Sequence, residues 1–289
     1  MKILITITLL TLSLYASKVL VLNSNNTIKK YQSIQKSFTE NFKQPYTTLD
    51  ISKMSKNNIK EYLYDEYPDI VYTIGTKAYS YANMFIPEKT IFFSSIINYK
   101  RLKSTDNRYG VSNELHSGMN LTLIKSLFNT TKKLSIVYSE YTHDLYKSFK
   151  QNAQMMDIEI IGQKISKEDS IDIEQLKNTD GFILISDPIL LNNENKIISL
   201  FSDLKELKIP IFAYHELFIK FGASLVISAD NPTIGRQVSI MIEHYEKNNE
   251  FQKLQLPMGT NVVFNKKVIK ELGVKYNKSA LSIANKIIE

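Results

Sequence analysis

Short apolar runs rich in β-branched residues alternate along this chain with stretches in which apolar residues recur every three or four positions. Each short run predicts a strand that is buried on both faces, as in a parallel sheet. The predicted strands are residues 19–22, 47–49, 70–74, 90–93, 134–138, 182–185, 211–213 and 225–227, with a further strand at 109–112.

Three of the stretches between these runs place apolar side chains on one helical face. Their apolar positions are Tyr31, Ile34, Phe38 and Phe42, then Leu115, Met119, Leu123 and Leu127, and finally Ile197, Leu200 or Phe201, Leu204 and Leu207. Strand, helix and strand repeated in this order predict an α/β fold with parallel sheets.

The strand–helix units form two series, one over about residues 18–112 and the other from Lys133 onward. No segment rich in Gly, Ser or Pro separates the two series. We therefore expect two Rossmann-like lobes with parallel sheets, joined by a hinge instead of a flexible linker. The predicted first lobe comprises residues 17–114 plus 231–256, the predicted second lobe residues 115–230 plus 257–289, and three segments cross between them.

The N-terminal segment predicts export from the cytoplasm. Lys2 precedes an apolar run at residues 3–14, and Ala16 precedes the polar Ser17. A basic start, a short apolar stretch and a small residue before a polar one are typical of a secretory signal peptide. The run is shorter than the roughly 20 apolar residues that span a membrane. We expect residues 1–16 to be cleaved as a signal peptide; retention as a membrane anchor is the alternative.

Cysteine is absent from all 289 residues. This excludes a disulfide framework, a thiolate metal site and a cysteine nucleophile. It also excludes a lipid anchor, which needs a cysteine at the cleavage point. An exported protein without disulfides or a lipid anchor suits the periplasm of a Gram-negative bacterium.

The chain is basic, with a formal net charge of +7 at pH 7. Adjacent basic residues come only in pairs, such as Lys29-Lys30 and Lys132-Lys133. A nucleic-acid interface concentrates its basic residues on one face. The scattered lysines therefore predict a solvated surface and no nucleic-acid partner.

Catalytic and cofactor signals are missing from the sequence. The four histidines lack metal-ligand spacing, and no G-x-S-x-G elbow, P-loop or G-x-G-x-x-G fingerprint occurs. Asp187 and Glu216 could form an acid–base pair, but an Asp-Pro pair after a strand is equally well explained as a turn. We predict no enzyme, no cofactor and no metal site.

Polar residues follow the predicted strands, where ligands bind in open parallel sheets. The candidate ligand-binding residues are Asn23, Gly75, Thr76, Ser94, Ser95, Ser139, Asp187 and Tyr214. Ser, Thr, Asn and Asp at such positions can also be helix N-caps. Taken together, the set favours a cleft for a small polar molecule.

Each lobe offers a different chemistry to such a ligand. Thr76, Ser94 and Ser95, with Asn23 nearby, are candidate donors to a carboxylate. In the second lobe Asp187 is a candidate acceptor for an ammonium group, and the Tyr214 ring can stack on a flat ligand. These features predict an amino-acid-like ligand, and an aromatic one is the narrower hypothesis. The alternatives are that Tyr214 packs in the core and that Asp187 caps the helix beginning at Pro188.

Segments spread over nearly the whole chain resemble those of one known family. Residues 68–78 are similar to its D-(apolar)-G-T-x-A segment, residues 107–112 to its N-x-T-G-V-S, and residues 230–237 to its D-x-x-x-x-G-R/x-Q pattern. Further similar segments, in the family's order, are residues 134–139, 186–188, 209–213, 221–223, 262–265 and 272–274. The chain thus resembles the ABC transporter substrate-binding proteins related to tryptophan/tyrosine-type binders.

This resemblance implies a type I periplasmic-binding-protein fold and a role in solute import. The implied protein is a monomer that binds a small molecule and passes it to an ABC permease with its ATPase, in peripheral contact with the inner-membrane complex. A ligand-sensing subunit for a membrane receptor is the alternative. Residues 92–98 depart from the family's usual V-x-D-P segment, which leaves the ligand class open.

Overall fold

The strands of this protein form two separate sheets in the computed structural model, which describes residues 18–96, 99 and 105–289. The predicted signal peptide, residues 1–16, lies outside the described residues. Within them, no helix is long and apolar enough to cross a membrane.

The secondary-structure elements alternate between strand and helix over most of the chain. The strands are β1 (Val19–Asn23), β2 (Tyr46–Asp50), β3 (Ile70–Ile74), β4 (Thr90–Ser94), β5 (Arg108–Val111), β6 (Lys133–Tyr138), β7 (Glu159–Lys164), β8 (Gly181–Leu184), β9 (Ile211–Ala213), β10 (Leu225–Ala229), β11 (Leu254–Gln255), β12 (Thr260–Asn265) and β13 (Lys286–Ile288). The α-helices are α1 (Lys29–Asn41), α2 (Lys56–Glu66), α3 (Thr76–Phe85), α4 (Ser117–Leu127), α5 (His143–Gln154), α6 (Ile173–Leu176), α7 (Pro188–Leu191), α8 (Glu194–Glu206), α9 (Asn231–Glu246) and α10 (Lys266–Leu272).

Both sheets are parallel except at one strand pair. The first sheet has the strand order β11-β5-β4-β3-β1-β2. The second has the order β13-β12-β10-β9-β8-β6-β7, with β10 and β12 antiparallel. Each sheet carries an apolar core on both faces, which explains the uninterrupted apolar runs of the central strands. The predicted α/β fold with two lobes is confirmed.

The chain passes between the two sheets three times. It leaves the first sheet after β5 for α4, which packs on α5, and it leaves the second sheet after β10 for α9, which packs on α1. The third passage connects β11 to β12. Leu115, in the first of these connections, packs against cores of both lobes. The exact residue bounds of the lobes stay a prediction.

Two details of the predicted elements are wrong. The run 47–49 lies in β2, an edge strand whose residues are largely exposed instead of buried, because only one neighbouring strand and little covering structure reach it. In α4 the buried face is formed by Leu121, Ile124 and Leu127, while Met119 is 47% exposed. Positions four apart drift by about 40° per step around a helix of 3.6 residues per turn, so the face that contains Leu127, Ile124 and Leu121 does not include Met119.

Candidate functional site

The carboxyl ends of β1, β3 and β4 meet at one edge of the first sheet. There Asn23, Ile74 and Ser94 are in register on neighbouring strands. Residues that lie far apart in the sequence are therefore side by side, as parallel strand pairing requires.

Helix α3 begins at this edge with Gly75 as its N-cap. The first N–H groups of a helix have no acceptor within the helix. Ser24 Oγ accepts the N–H of Ala78 at 2.9 Å. Among the described residues, no acceptor is found for the N–H groups of Thr76 and Lys77, and such N–H groups favour an anion.

Gly75 has a φ of +89°, in the region that favours glycine. A Cβ at this position would lie 2.7 Å from Ser24 Oγ and 2.9 Å from Cζ of Tyr31. The phenol of Tyr31 therefore lies against the start of α3. Glycine is required here both by the backbone angle and by the space that Tyr31 takes.

Ser95 is the strained residue of this edge. It has a φ of +58° and is 3% exposed. Its buried Oγ has no hydrogen-bond partner among the described residues. Both features are uncommon in a folded protein and are concentrated at functional sites. Ser95 thus has a buried hydroxyl without a partner in the described part of the chain.

The other two candidates of the first lobe are engaged within the protein. Asn23 Nδ2 donates to Gln35 Oε1 at 2.7 Å, and Asn23 Oδ1 accepts the N–H of Asn25 at 2.9 Å. Ser94 Oγ is hydrogen-bonded to the hydroxyl of the buried Tyr72 at 2.8 Å. These hydrogen bonds fix the side chains of Asn23 and Ser94 at the edge of the first sheet.

Asp187 is fully buried, and the protein itself satisfies its carboxylate. Oδ2 accepts hydrogen bonds from the N–H and the Oγ of Ser139, both at 2.7 Å, and from Oγ1 of Thr142 at 2.5 Å. Oδ1 accepts the N–H groups of Ile189 at 2.8 Å and Leu190 at 3.0 Å. Both carboxylate oxygens of Asp187 are therefore engaged within the protein. Asp187 and Ser139 lock two loops of the second lobe together, and Asp187 caps α7.

A cavity opens at the carboxyl ends of β8, β9 and β10. It has about 60 Å³ of free volume, room for a few water molecules. Most of its lining is apolar, and its polar lining residues are Asn113, Glu114, Asn120, Ser186, Tyr214 and Ser228. Asn113 and Glu114 belong to the first connection between the lobes. The cavity therefore lies where the second lobe meets the first connection between the lobes.

Tyr214 is the predicted site residue that lines this cavity. Its ring lies 5.4 Å from that of Phe218, between centroids. Burial raises the pKa of its phenol to about 12. The ring is half-buried, packs against Phe218 and borders the cavity.

The structure thus brings the predicted residues together in two groups. Gly75, Thr76 and Ser95 lie at the edge of the first sheet, and Tyr214 lies at the cavity of the second lobe. Tyr31 and Asn113 were not predicted as site residues. Tyr31 has the helical spacing of a core residue, whereas Asn113 directly follows the predicted strand 109–112 and is a polar residue of the same kind as the other candidates.

Solved structures of other proteins share this architecture. A ligand-free, open substrate-binding protein with adhesive properties from Clostridium difficile aligns over 94% of this chain and 99% of its own, with a TM-score of 0.68 and 14% identity. The ABC domain in complex with L-Trp from Streptococcus pneumonia aligns over 93% and 100%, with a TM-score of 0.59 and 17% identity. A conserved domain protein from Vibrio cholerae aligns over 94% and 99%, with a TM-score of 0.59 and 16% identity.

Sequence comparison identifies the family. No curated protein matches the chain by sequence. The profile of the family described as ABC transporter substrate binding protein matches residues 28–288, which is nearly the whole described chain. The resemblance inferred from the scattered sequence segments is thereby confirmed. This chain belongs to the ABC transporter substrate-binding protein family.

Proposed function

We propose that this protein is the solute-binding component of an ABC importer and binds a small, amino-acid-like molecule between its lobes. The observation that carries the proposal is the cavity beside Tyr214, which lies at the carboxyl ends of three strands and is bordered by the hinge residues Asn113 and Glu114. Ligands of open α/β sheets bind at this end of the strands.

The start of α3 is the proposed site for the ligand's carboxylate. The N–H groups of Thr76 and Lys77 and the hydroxyl of Ser95 supply the donors. The ring of Tyr214 supplies an apolar surface from the second lobe. An amino-acid ligand agrees with the L-Trp complex of the structural neighbour from Streptococcus pneumonia.

The family and the N-terminal sequence together support a location in the periplasm. There the cleaved protein would pass its ligand, as a monomer, to a permease with its ATPase. A signal peptide at residues 1–16 is part of this proposal, and mass spectrometry of the exported protein should find Ser17 at or near the N-terminus.

A thermal-shift screen of amino acids, nucleosides, vitamins and oxyanions tests the ligand class on the cleaved protein. We expect amino acids or close relatives to raise the melting temperature, because a ligand that binds only the folded state stabilises it. If only neutral compounds or inorganic anions raise it, the proposed ligand class is wrong.

The variant Ser95→Ala tests the carboxylate site. Removing a hydroxyl that binds a charged group should weaken binding of the best amino acid from the screen about ten- to a hundredfold, measured by titration calorimetry. Without ligand the variant should be at least as stable as the parent, since Ser95 Oγ has no partner among the described residues. Ser80→Ala, on the exposed side of α3, is the matched control. Equal affinities of both variants would contradict the site.

A further inference from the structure

Lys30 is a partly buried cation at the cleft. It lies in the first turn of α1, and its Nζ donates to Oδ1 of Asn113, which lines the cavity. Among the described residues, no ion pair involves Lys30. The hydrogen-bond partner that the described part of the chain provides for Lys30 is a neutral amide.

The position of Lys30 is unfavourable for the stability of α1. The first turn of this helix contains Lys29 and Lys30 and no acidic residue, and its N-cap Ile28 makes no side-chain cap. Because a helix N-terminus carries a partial positive charge, a cation there is repelled. Stabilisation of the helix does not explain Lys30.

His215, in the second lobe, is close enough to Lys30 for the charge of the ammonium to act on its pKa. It follows Tyr214 directly, and its Nδ1 accepts the N–H of Leu217 at 3.0 Å, so Nε2 is the remaining donor of the ring. Partial burial, and then the charge of Lys30, lower the pKa of His215, whereas Glu216 acts in the opposite direction. Oε1 of Glu216 is itself engaged by Nδ2 of Asn261 at 2.9 Å.

An uncompensated charge in a partly dry cleft calls for a counterion. Charged groups that leave water are normally paired, since desolvation disfavours the charged form. Burial lowers the pKa of Lys30 to about 8, so the ammonium still predominates at neutral pH. An anion that enters the cleft would complete the pair.

We propose that Lys30 and His215 hold a second acid group of the ligand, in addition to the carboxylate at the start of α3. The solute would then be a small dicarboxylic compound or an acidic amino acid. The two donors come from opposite lobes, so this acid group would bridge the lobes when the cleft closes. The proposal rests on the solute-binding function proposed above.

Acid and amide pairs of equal size test this proposal. We would compare L-glutamate with L-glutamine, L-aspartate with L-asparagine, and succinate with succinamate, by thermal shift and calorimetry. The acid of at least one pair should bind ten- to a hundredfold more tightly than its amide, since it gains a charge-assisted contact. Lys30→Gln and His215→Gln should each reduce that preference, and Lys29→Gln, on the exposed neighbour, should preserve it.

The melting temperature of Lys30 variants without ligand distinguishes a ligand-binding role of Lys30 from a structural one. Lys30→Met removes an unpaired ammonium, so the melting temperature should rise by roughly 2–5 °C, while Lys29→Met should leave it nearly unchanged. A large fall in the Lys30→Met variant would mean that Lys30 supports the fold through Asn113, and would overturn the proposal.

The other outcomes of the acid–amide comparison distinguish failure of the second acid site from failure of the solute-binding function. If amides bind as well as acids, or if the preference persists in Lys30→Gln, the second acid site is wrong but the solute-binding function stands. If monocarboxylic acids bind as tightly as dicarboxylic ones and still need Lys30, the carboxylate site at α3 is wrong. If no acid of any pair binds, this proposal fails, and binding of the other screened compounds then decides the proposed function.

Discussion

At the scale of single residues, a polar side chain at the carboxyl end of a strand can serve either a ligand or the protein. Asp187 and Ser95 occupy comparable positions in the two lobes. Asp187 accepts five hydrogen bonds within the protein, whereas Ser95 Oγ has no partner among the described residues. The difference comes from the neighbouring loop: Ser139 and Thr142 reach Asp187 from another strand end.

Substitution of Asp187 should therefore affect stability. In Asp187→Asn the amide nitrogen would face the N–H of Ser139, so one buried donor loses its acceptor. We expect a loss of about 2–3 kcal/mol in the free energy of unfolding, measured with urea. Asp172→Asn, at an exposed helix cap, should cost less than about 1 kcal/mol. If Asp187→Asn instead weakens ligand binding and leaves the free energy of unfolding unchanged, Asp187 contacts the ligand and does not stabilise the fold.

At the scale of elements, the pair α1 and α9 joins the two ends of the first lobe. Gly235 on α9 lies so close to α1 that an added Cβ would be 2.2 Å from the carbonyl oxygen of Ile34 and 2.9 Å from the nitrogen of Phe38. These are backbone atoms, which cannot relieve a clash by a change of rotamer as a side chain can. The glycine that the family pattern contains at this position thus has a packing reason.

Gly235→Ala should push α1 and α9 apart. Alanine favours a helix by about 1 kcal/mol over glycine, but overpacking against a backbone costs more, so we expect a net loss of about 1–3 kcal/mol. Gly118→Ala in α4 is the control, since its nearest atoms are side-chain atoms of Asn152 and His116 at 3.0 Å. It should change stability by less than about 1 kcal/mol. Chemical unfolding measures both variants, and equal effects would contradict the close helix contact.

At the scale of the whole molecule, two separate sheets are joined by three connections. The cavity beside Tyr214 has about 60 Å³ of free volume, which is small for an amino acid. We therefore expect the lobes to open for ligand entry and to close around the bound molecule.

Spin labels can measure this closure, because the chain has no native cysteine. Glu61→Cys on α2 and Lys150→Cys on α5 are exposed positions on different lobes. Their distance should shorten when the best amino acid from the screen is added. Lys150→Cys with Lys205→Cys, both on the second lobe, should show no change. An unchanged interlobe distance with a ligand that demonstrably binds would exclude hinge closure.

The sequence by itself determined the class of the fold and the family. Central strands of a parallel sheet are apolar on both faces, so their runs are visible without any knowledge of their partners. The edge strands β7 and β13 lack such runs, since part of each strand is exposed, and they were not predicted. The antiparallel β12 was noticed only as a family segment. Its place in the sheet depends on pairing with β10.

Only the tertiary structure decided which polar residues already have hydrogen-bond partners within the protein. The sequence places Asn23, Ser94 and Asp187 after strands but cannot show that Gln35, Tyr72 and the Ser139 loop already bind them. It likewise gives no sign that Lys30 meets Asn113 across 83 positions of sequence. The physical reason is that burial leaves a periodic local pattern, whereas a hydrogen bond or an unpaired charge depends on which distant residues the fold brings within about 3 Å.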